Sequence, residues 1–129
     1  MPLVRIDISK DAPAERIRAV SDAVYGAMIG LANVPVNDKF QIVTRHSADE
    51  MVYPHEGYLG CTDTPNFIVI QVTWVGGRST DVKKQFYRRI VDEIHEKAGV
   101  RKEDVFISLV DSGREDWSFG DGEMQYSPK

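Results

Sequence analysis

The chain has 129 residues, 42% hydrophobic and 28% charged, with a formal net charge of −4; this is the size and balance of one globular domain spanning 1–129. The acidic balance disfavours nucleic acid and anionic membrane as partners, and no stretch approaches the ~20 apolar residues of a membrane span. The single cysteine, Cys61, excludes an internal disulfide framework; with an N-terminus too short and too charged for a signal peptide, this predicts a cytoplasmic protein.

Val4, Ile6 and Ile8 alternate with Leu3, Arg5 and Asp7, the period of a half-exposed strand. Asp11 is the expected N-cap of a following helix, with Pro13 near its first turn. Ile17, Val20, Val24, Ala27, Met28 and Leu31 recur at helical spacing until Asn33 and Pro35 end the helix. Lys39 to Thr44 reads as a second strand, and 45–65 as a long linker. Asn66 to Trp74 is continuously apolar, as in a strand covered on both faces. Gly76 and Gly77 make a turn, and Ser79 or Thr80 caps a second helix with a stripe of Val82, Phe86, Ile90, Val91 and Ile94. Gly99 closes that helix, Val105 to Val110 is the last long strand, and 111–129 forms a tail rich in glycine, serine and aromatics.

The pattern is a duplication. Val34-x3-Asp38-x-Phe40 repeats as Val100-x3-Asp104-x-Phe106, an offset of 100 − 34 = 66 residues. The same offset lays Ile6 on Val72, Ile8 on Trp74, Val20 on Phe86, Val24 on Ile90 and Met28 on Ile94. Two β-α-β units, about 2–44 and 66–110, predict an α+β fold: a four-stranded mixed sheet with two helices on one face. The uncovered face, with Phe67, Val69, Gln71 or their neighbours, is expected to meet another subunit.

Pro2 is the first candidate for chemistry. Removal of Met1 would leave a secondary amine, and an α-amino group ionises at roughly 7.7–8.0, within reach of neutral pH. Arg78 stands between a buried strand and a helix start, where a guanidinium and free backbone donors can hold a carboxylate. Its place in a glycine loop, outside both apolar stripes, predicts that replacing it spares the fold. Trp117, Phe119 and Tyr126 can supply an apolar wall and a hydroxyl, or pack against a neighbouring subunit. His46, His55 and His95 have no metal-ligand spacing, so no metal is assigned. No P-loop, dinucleotide fingerprint or serine elbow is present. A βαββαβ order also suits an RNA-binding sheet, but the aromatic and basic residues for base stacking are missing.

Three segments carry a resemblance to a family: Pro2-Leu3-Val4-Arg5-Ile6-Asp7; Val34-Pro35 with Asp38-x-Phe40-Gln41-Ile42-Val43; and Asp116-Trp117-Ser118-Phe119-Gly120-Asp121-Gly122 with Gln125-Tyr126. Over nearly its whole length the chain resembles the tautomerase superfamily, in particular its malonate semialdehyde decarboxylase branch. The resemblance implies tandem β-α-β units, a homotrimer, catalysis by Pro2 and no cofactor or metal. It implies a catalytic role for Asp38, although Asp104 holds the equivalent place in a unit without such a proline. Some branch members carry two arginines in the Arg78 loop, where this chain has Trp74 and Gly76 before a single arginine.

The implied activity is decarboxylation of a small 3-oxo acid such as malonate semialdehyde, with Pro2, Asp38 and Arg78 catalytic and Trp117, Phe119 and Tyr126 lining the substrate. One alternative is a keto–enol tautomerase or hydratase of small 2-oxo or unsaturated acids, which needs Pro2 neutral as a base. A second is a non-catalytic trimeric binding protein.

Overall fold

The computed structural model describes residues 2–127. The elements run β1 (Leu3–Ser9), α1 (Ala14–Leu31), β2 (Phe40–His46), β3 (Ile68–Val75), α2 (Thr80–Ala98) and β4 (Val105–Ser112). Their sheet order is β2-β1-β3-β4. β1 is parallel to β2 and β3 to β4, while β1 and β3 run antiparallel at the centre. This is the mixed sheet of two β-α-β units.

The side chains that alternate inward are Val4, Ile6 and Ile8 from β1 and Ile68, Ile70, Val72 and Trp74 from β3, all buried. They meet Val20, Ala23, Val24, Ala27 and Met28 of α1 and Phe86, Ile90 and Ile94 of α2 in one core. The five apolar pairs that the offset matches along the first strands and helices, from Ile6 and Val72 to Met28 and Ile94, lie in this core. At ~1.5–3 kcal/mol for each large apolar side chain removed from water, this shared stripe is the main driving force of the fold.

Helix starts differ from the sequence expectation in one respect. Pro13, not Asp11, occupies the N-cap of α1, and no side chain caps that helix. Proline disfavours helical backbone at Ala12 before it, so the helix cannot begin earlier. Asp11 instead lies in the preceding turn, where its N–H donates to Ser9 Oγ at 3.1 Å. In α2 Ser79 is the N-cap, its hydroxyl accepting from Val82 N, and Gly99 ends the helix at φ 67°.

Strand ends also move. β2 continues through Arg45 and His46, which pair with Ile8 and Ser9, and β4 continues to Ser112, which pairs with Val75. Val69 and Gln71 face away from the helices as expected, but Phe67 is covered within the chain, its ring 5.4 Å from Tyr53 and 6.2 Å from Phe106. The linker is anchored as well. Asp104, fully buried, accepts from Thr64 N at 2.7 Å and Thr64 Oγ1 at 2.5 Å.

Candidate active site

The topology brings one end of each unit to the same edge of the sheet. β1 and β2 start there, while β3 and β4 end there. A cavity of about 510 Å³ opens at this edge. Pro2 and Leu3 of the β1 start, Phe40 of β2, Thr73 of β3 and Asp111 and Ser112 of β4 contribute to it. Asp116 to Phe119 close it from the tail.

Three of the six residues singled out in the sequence, Pro2, Trp117 and Phe119, line this cavity. Pro2 is buried and held at the start of β1, one residue before the first strand pairing. Met1, whose removal the amine chemistry requires, lies outside the described residues. Trp117 and Phe119 stack at 5.9 Å between ring centres with an interplanar angle of 13°. Trp117 is oriented by its Nε1, which donates to Ser112 Oγ at 2.8 Å; that hydroxyl donates in turn to Trp74 O at 2.7 Å. Phe119 is fixed by Gln125, which accepts from Phe119 N and donates to Gly120 O. Phe40 completes the wall, 5.9 Å from Phe119.

Tyr126 stands behind that wall, its ring edge-on to Phe119 at 5.1 Å, and the Arg114 guanidinium lies over the Tyr126 ring at 4.8 Å. Burial, and then the charge of Asp38, push the Tyr126 hydroxyl above its ordinary value, with Arg114 opposing. Asp38 is half-buried, just before β2, and its charge reaches Tyr126. It does not share the fate of Asp104, whose carboxylate is spent on the Thr64 backbone and hydroxyl.

Arg78 stands apart from the cavity lining. Its guanidinium donates to Val75 O at 2.7 Å and to Ala32 O at 2.9 Å, and lies over the Trp74 ring at 4.2 Å. It thus satisfies a carbonyl at the C-terminal end of α1, where a cation also suits the helix dipole. These contacts give Arg78 a structural role that its place in a glycine loop does not display. Burial weakens its hold on its proton, and Asp111 partly offsets this.

A second cavity, about 470 Å³, is built from the corresponding part of the other unit, with Val69 and Phe106 in the places of Leu3 and Phe40. There Ile68 stands where Pro2 stands in the first unit, fully buried in the core and without an amine. The two units therefore offer similar shapes but different chemistry. Among the described residues no group of three or more His, Cys, Asp or Glu is placed to hold a metal ion, and no helix is long and apolar enough to cross a membrane.

The family model described as tautomerase enzyme matches residues 38–120, more than half of the chain. The probable tautomerase YusQ of Bacillus subtilis (strain 168) is 38% identical over 125 residues, covering 97% of this chain and 98% of that relative. The chain belongs to the tautomerase family. Among solved structures, this tautomerase-family chain is similar to FG41 malonate semialdehyde decarboxylase inhibited by 3-bromopropiolate, with 35% identity and a TM-score of 0.87 over 96% of this chain and 93% of that one. A malonate semialdehyde decarboxylase with decarboxylase and hydratase activities is 31% identical, with a TM-score of 0.86 over 96% and 95% of the two chains.

Sequence reasoning passed over several residues of this tautomerase-family cavity: Leu3, Phe40, Thr73, Asp111, Ser112 and Asp116. A signal for the last of these was present. The short 3-10 turns Ala48–Glu50 and Arg114–Asp116 stand 114 − 48 = 66 residues apart, so the repeat extends past the last strand into the tail. In both, an acidic side chain accepts from the backbone three residues earlier: Glu50 from Ser47 N and Asp116 from Gly113 N. Carrying the offset beyond 110 would have marked this stretch as built structure.

Proposed function

We propose that the chain is a cofactor-independent decarboxylase of a small 3-oxo acid such as malonate semialdehyde, acting through the amine of Pro2. The observation that carries this reading is Pro2 in an aromatic-walled cavity with Trp117 and Phe119. Similarity to two malonate semialdehyde decarboxylases over nearly the whole chain supports the choice of substrate.

The roles follow from charge flow. Breaking the bond to the carboxylate carbon releases carbon dioxide and leaves its electron pair on an enolate. A protonated Pro2 beside the carbonyl oxygen stabilises that enolate, which then takes a proton on carbon. Arg78 is the candidate partner for the substrate carboxylate; to reach it, the guanidinium exchanges the Ala32 and Val75 carbonyls for the ligand. Asp38 and Tyr126 act as a pair behind Phe119, the Tyr126 ring supporting the wall and the Asp38 charge disfavouring ionisation of its phenol. Trp117, Phe119 and Phe40 exclude water and strengthen these interactions. The exposed sheet face fits a homotrimer as the working form.

A keto–enol tautomerase is the second reading, favoured by the probable tautomerase among the relatives. The two differ in the state of Pro2. An acid loses activity as pH rises through the Pro2 value, whereas a base gains it. The deciding experiment is intact mass of the native protein, followed by acetaldehyde release from malonate semialdehyde and ketonisation of phenylpyruvate enol, each across pH. Met1 removed, decarboxylation falling with rising pH, and loss of both activities in Pro2→Ala are expected. Retained Met1, or full activity in Pro2→Ala, overturns the amine mechanism.

A further inference from the structure

Among the described residues, the charged side chains that line the Pro2 cavity are the carboxylates Asp111 and Asp116. Asp111, in its lining, accepts from Trp74 Nε1 at 2.8 Å and from Lys83 Nζ at 3.2 Å. The fully buried indole of Trp74 needs a partner for its N–H, and Asp111 is that partner. Gly76 leaves the room: a Cβ there would lie 3.3 Å from Asp111 Cβ and Cγ. Arg78 lies on the same Trp74 ring at 4.2 Å and within reach of the Asp111 charge. Asp116 is the other carboxylate of the lining, and beyond Phe119 Asp38 and Arg114 act oppositely on Tyr126.

We infer that Asp111 is a specificity-determining residue of this site: it holds the Trp74 platform on which Arg78 lies, and its charge restricts the cavity to ligands with a single carboxylate. The inference rests on the proposed activity for its substrates. One substrate carboxylate is balanced by Arg78 and the Pro2 amine. A second would enter beside the lining carboxylates Asp111 and Asp116, and like charges brought together in a pocket disfavour binding. Lys83 tempers Asp111 from the first turn of α2, so its removal should sharpen the same discrimination.

The comparison uses malonate semialdehyde and oxaloacetate, which is the same 3-oxo acid with a second carboxylate in place of the aldehyde hydrogen. In Asp111→Asn the amide oxygen still accepts from Trp74, but the charge is gone. The ratio of kcat/KM for oxaloacetate to that for the semialdehyde should rise about fivefold, the scale of one half-exposed like charge. In Lys83→Met it should fall. A general loss of packing would lower both substrates together and leave the ratio in place. Titration calorimetry with pyruvate and malonate reads the same discrimination without turnover: malonate should bind more tightly to Asp111→Asn than to wild type, relative to pyruvate. Absent decarboxylation with this binding shift intact would sink the proposed activity and leave the inference standing. An unchanged ratio in a folded Asp111→Asn, or no binding of either anion to either protein, overturns the inference.

Discussion

Arg78 is tied to Val75 O and Ala32 O and lies flat on Trp74, so one side chain links the end of β3 to the end of α1. Arg78→Ala therefore leaves two carbonyls without their charged donor and should cost about 1.5–3 kcal/mol of stability. The thermal midpoint should fall along with kcat/KM, the latter roughly tenfold or more if the same guanidinium binds substrate. Activity lost at an unchanged midpoint would assign Arg78 to substrate alone. Tyr126 offers a separate test. Its folded-state value is raised, first by burial and next by Asp38. The stability it contributes is thus present below the ordinary tyrosine value and is lost as pH rises through the raised one. Asp38→Asn removes the negative charge and should bring ionisation of Tyr126 to lower pH. Ultraviolet titration of Asp38→Asn and of Asp38→Asn/Tyr126→Phe isolates the shifted phenol. An unshifted titration would separate Asp38 from Tyr126.

At the scale of elements, the two helices begin in different ways despite their common ancestry in the repeat. Ser79 caps α2 through its hydroxyl, whereas α1 starts at Pro13 with no side-chain cap. Ser79→Ala should therefore cost about 1 kcal/mol, while Asp11→Ala should cost much less, because its side chain caps nothing. Denaturant midpoints at equal slope would compare them. Equal losses would mean that Asp11 supports α1 in a way the Ser9 turn does not display. The repeated aspartates diverge similarly. Asp104 fastens the linker through Thr64, and Asp38 faces the aromatic tail through Tyr126. One position in the repeat has become a structural anchor, while its twin stays beside the cavity wall.

Across the whole molecule, the sheet face opposite the helices remains uncovered. Phe40, Ile42, Phe106 and Val110 are 48%, 44%, 54% and 39% exposed. The outer edges of β2 and β4 are unpaired within the sheet. Apolar side chains and open edges on one surface are what an oligomer covers, and a homotrimer is expected. Light scattering should give three times the mass of one chain. Phe106→Asp places a charge among the exposed apolar side chains of this face and should shift the population to smaller species. A wild-type monomer at micromolar concentration would remove the trimer from the proposal.

The amino-acid pattern alone determined the two-unit plan, because burial of one stripe per helix and one face per strand imposes a period that residues such as Val20, Phe86, Ile6 and Val72 display directly. With the family resemblance, the sequence also pointed to Pro2, Trp117 and Phe119, which line the cavity, and to Asp38, Arg78 and Tyr126, which are not in its lining. Tertiary structure alone decided where charges go. Arg78 reads as a free loop cation until α1 brings Ala32 O, 46 residues away, within reach. Asp111 reads as the residue after a strand until the register of β4 sets it beside Trp74 and Lys83. Apolar burial leaves a periodic trace along the chain, whereas a hydrogen bond between distant residues depends on two backbones meeting and leaves none.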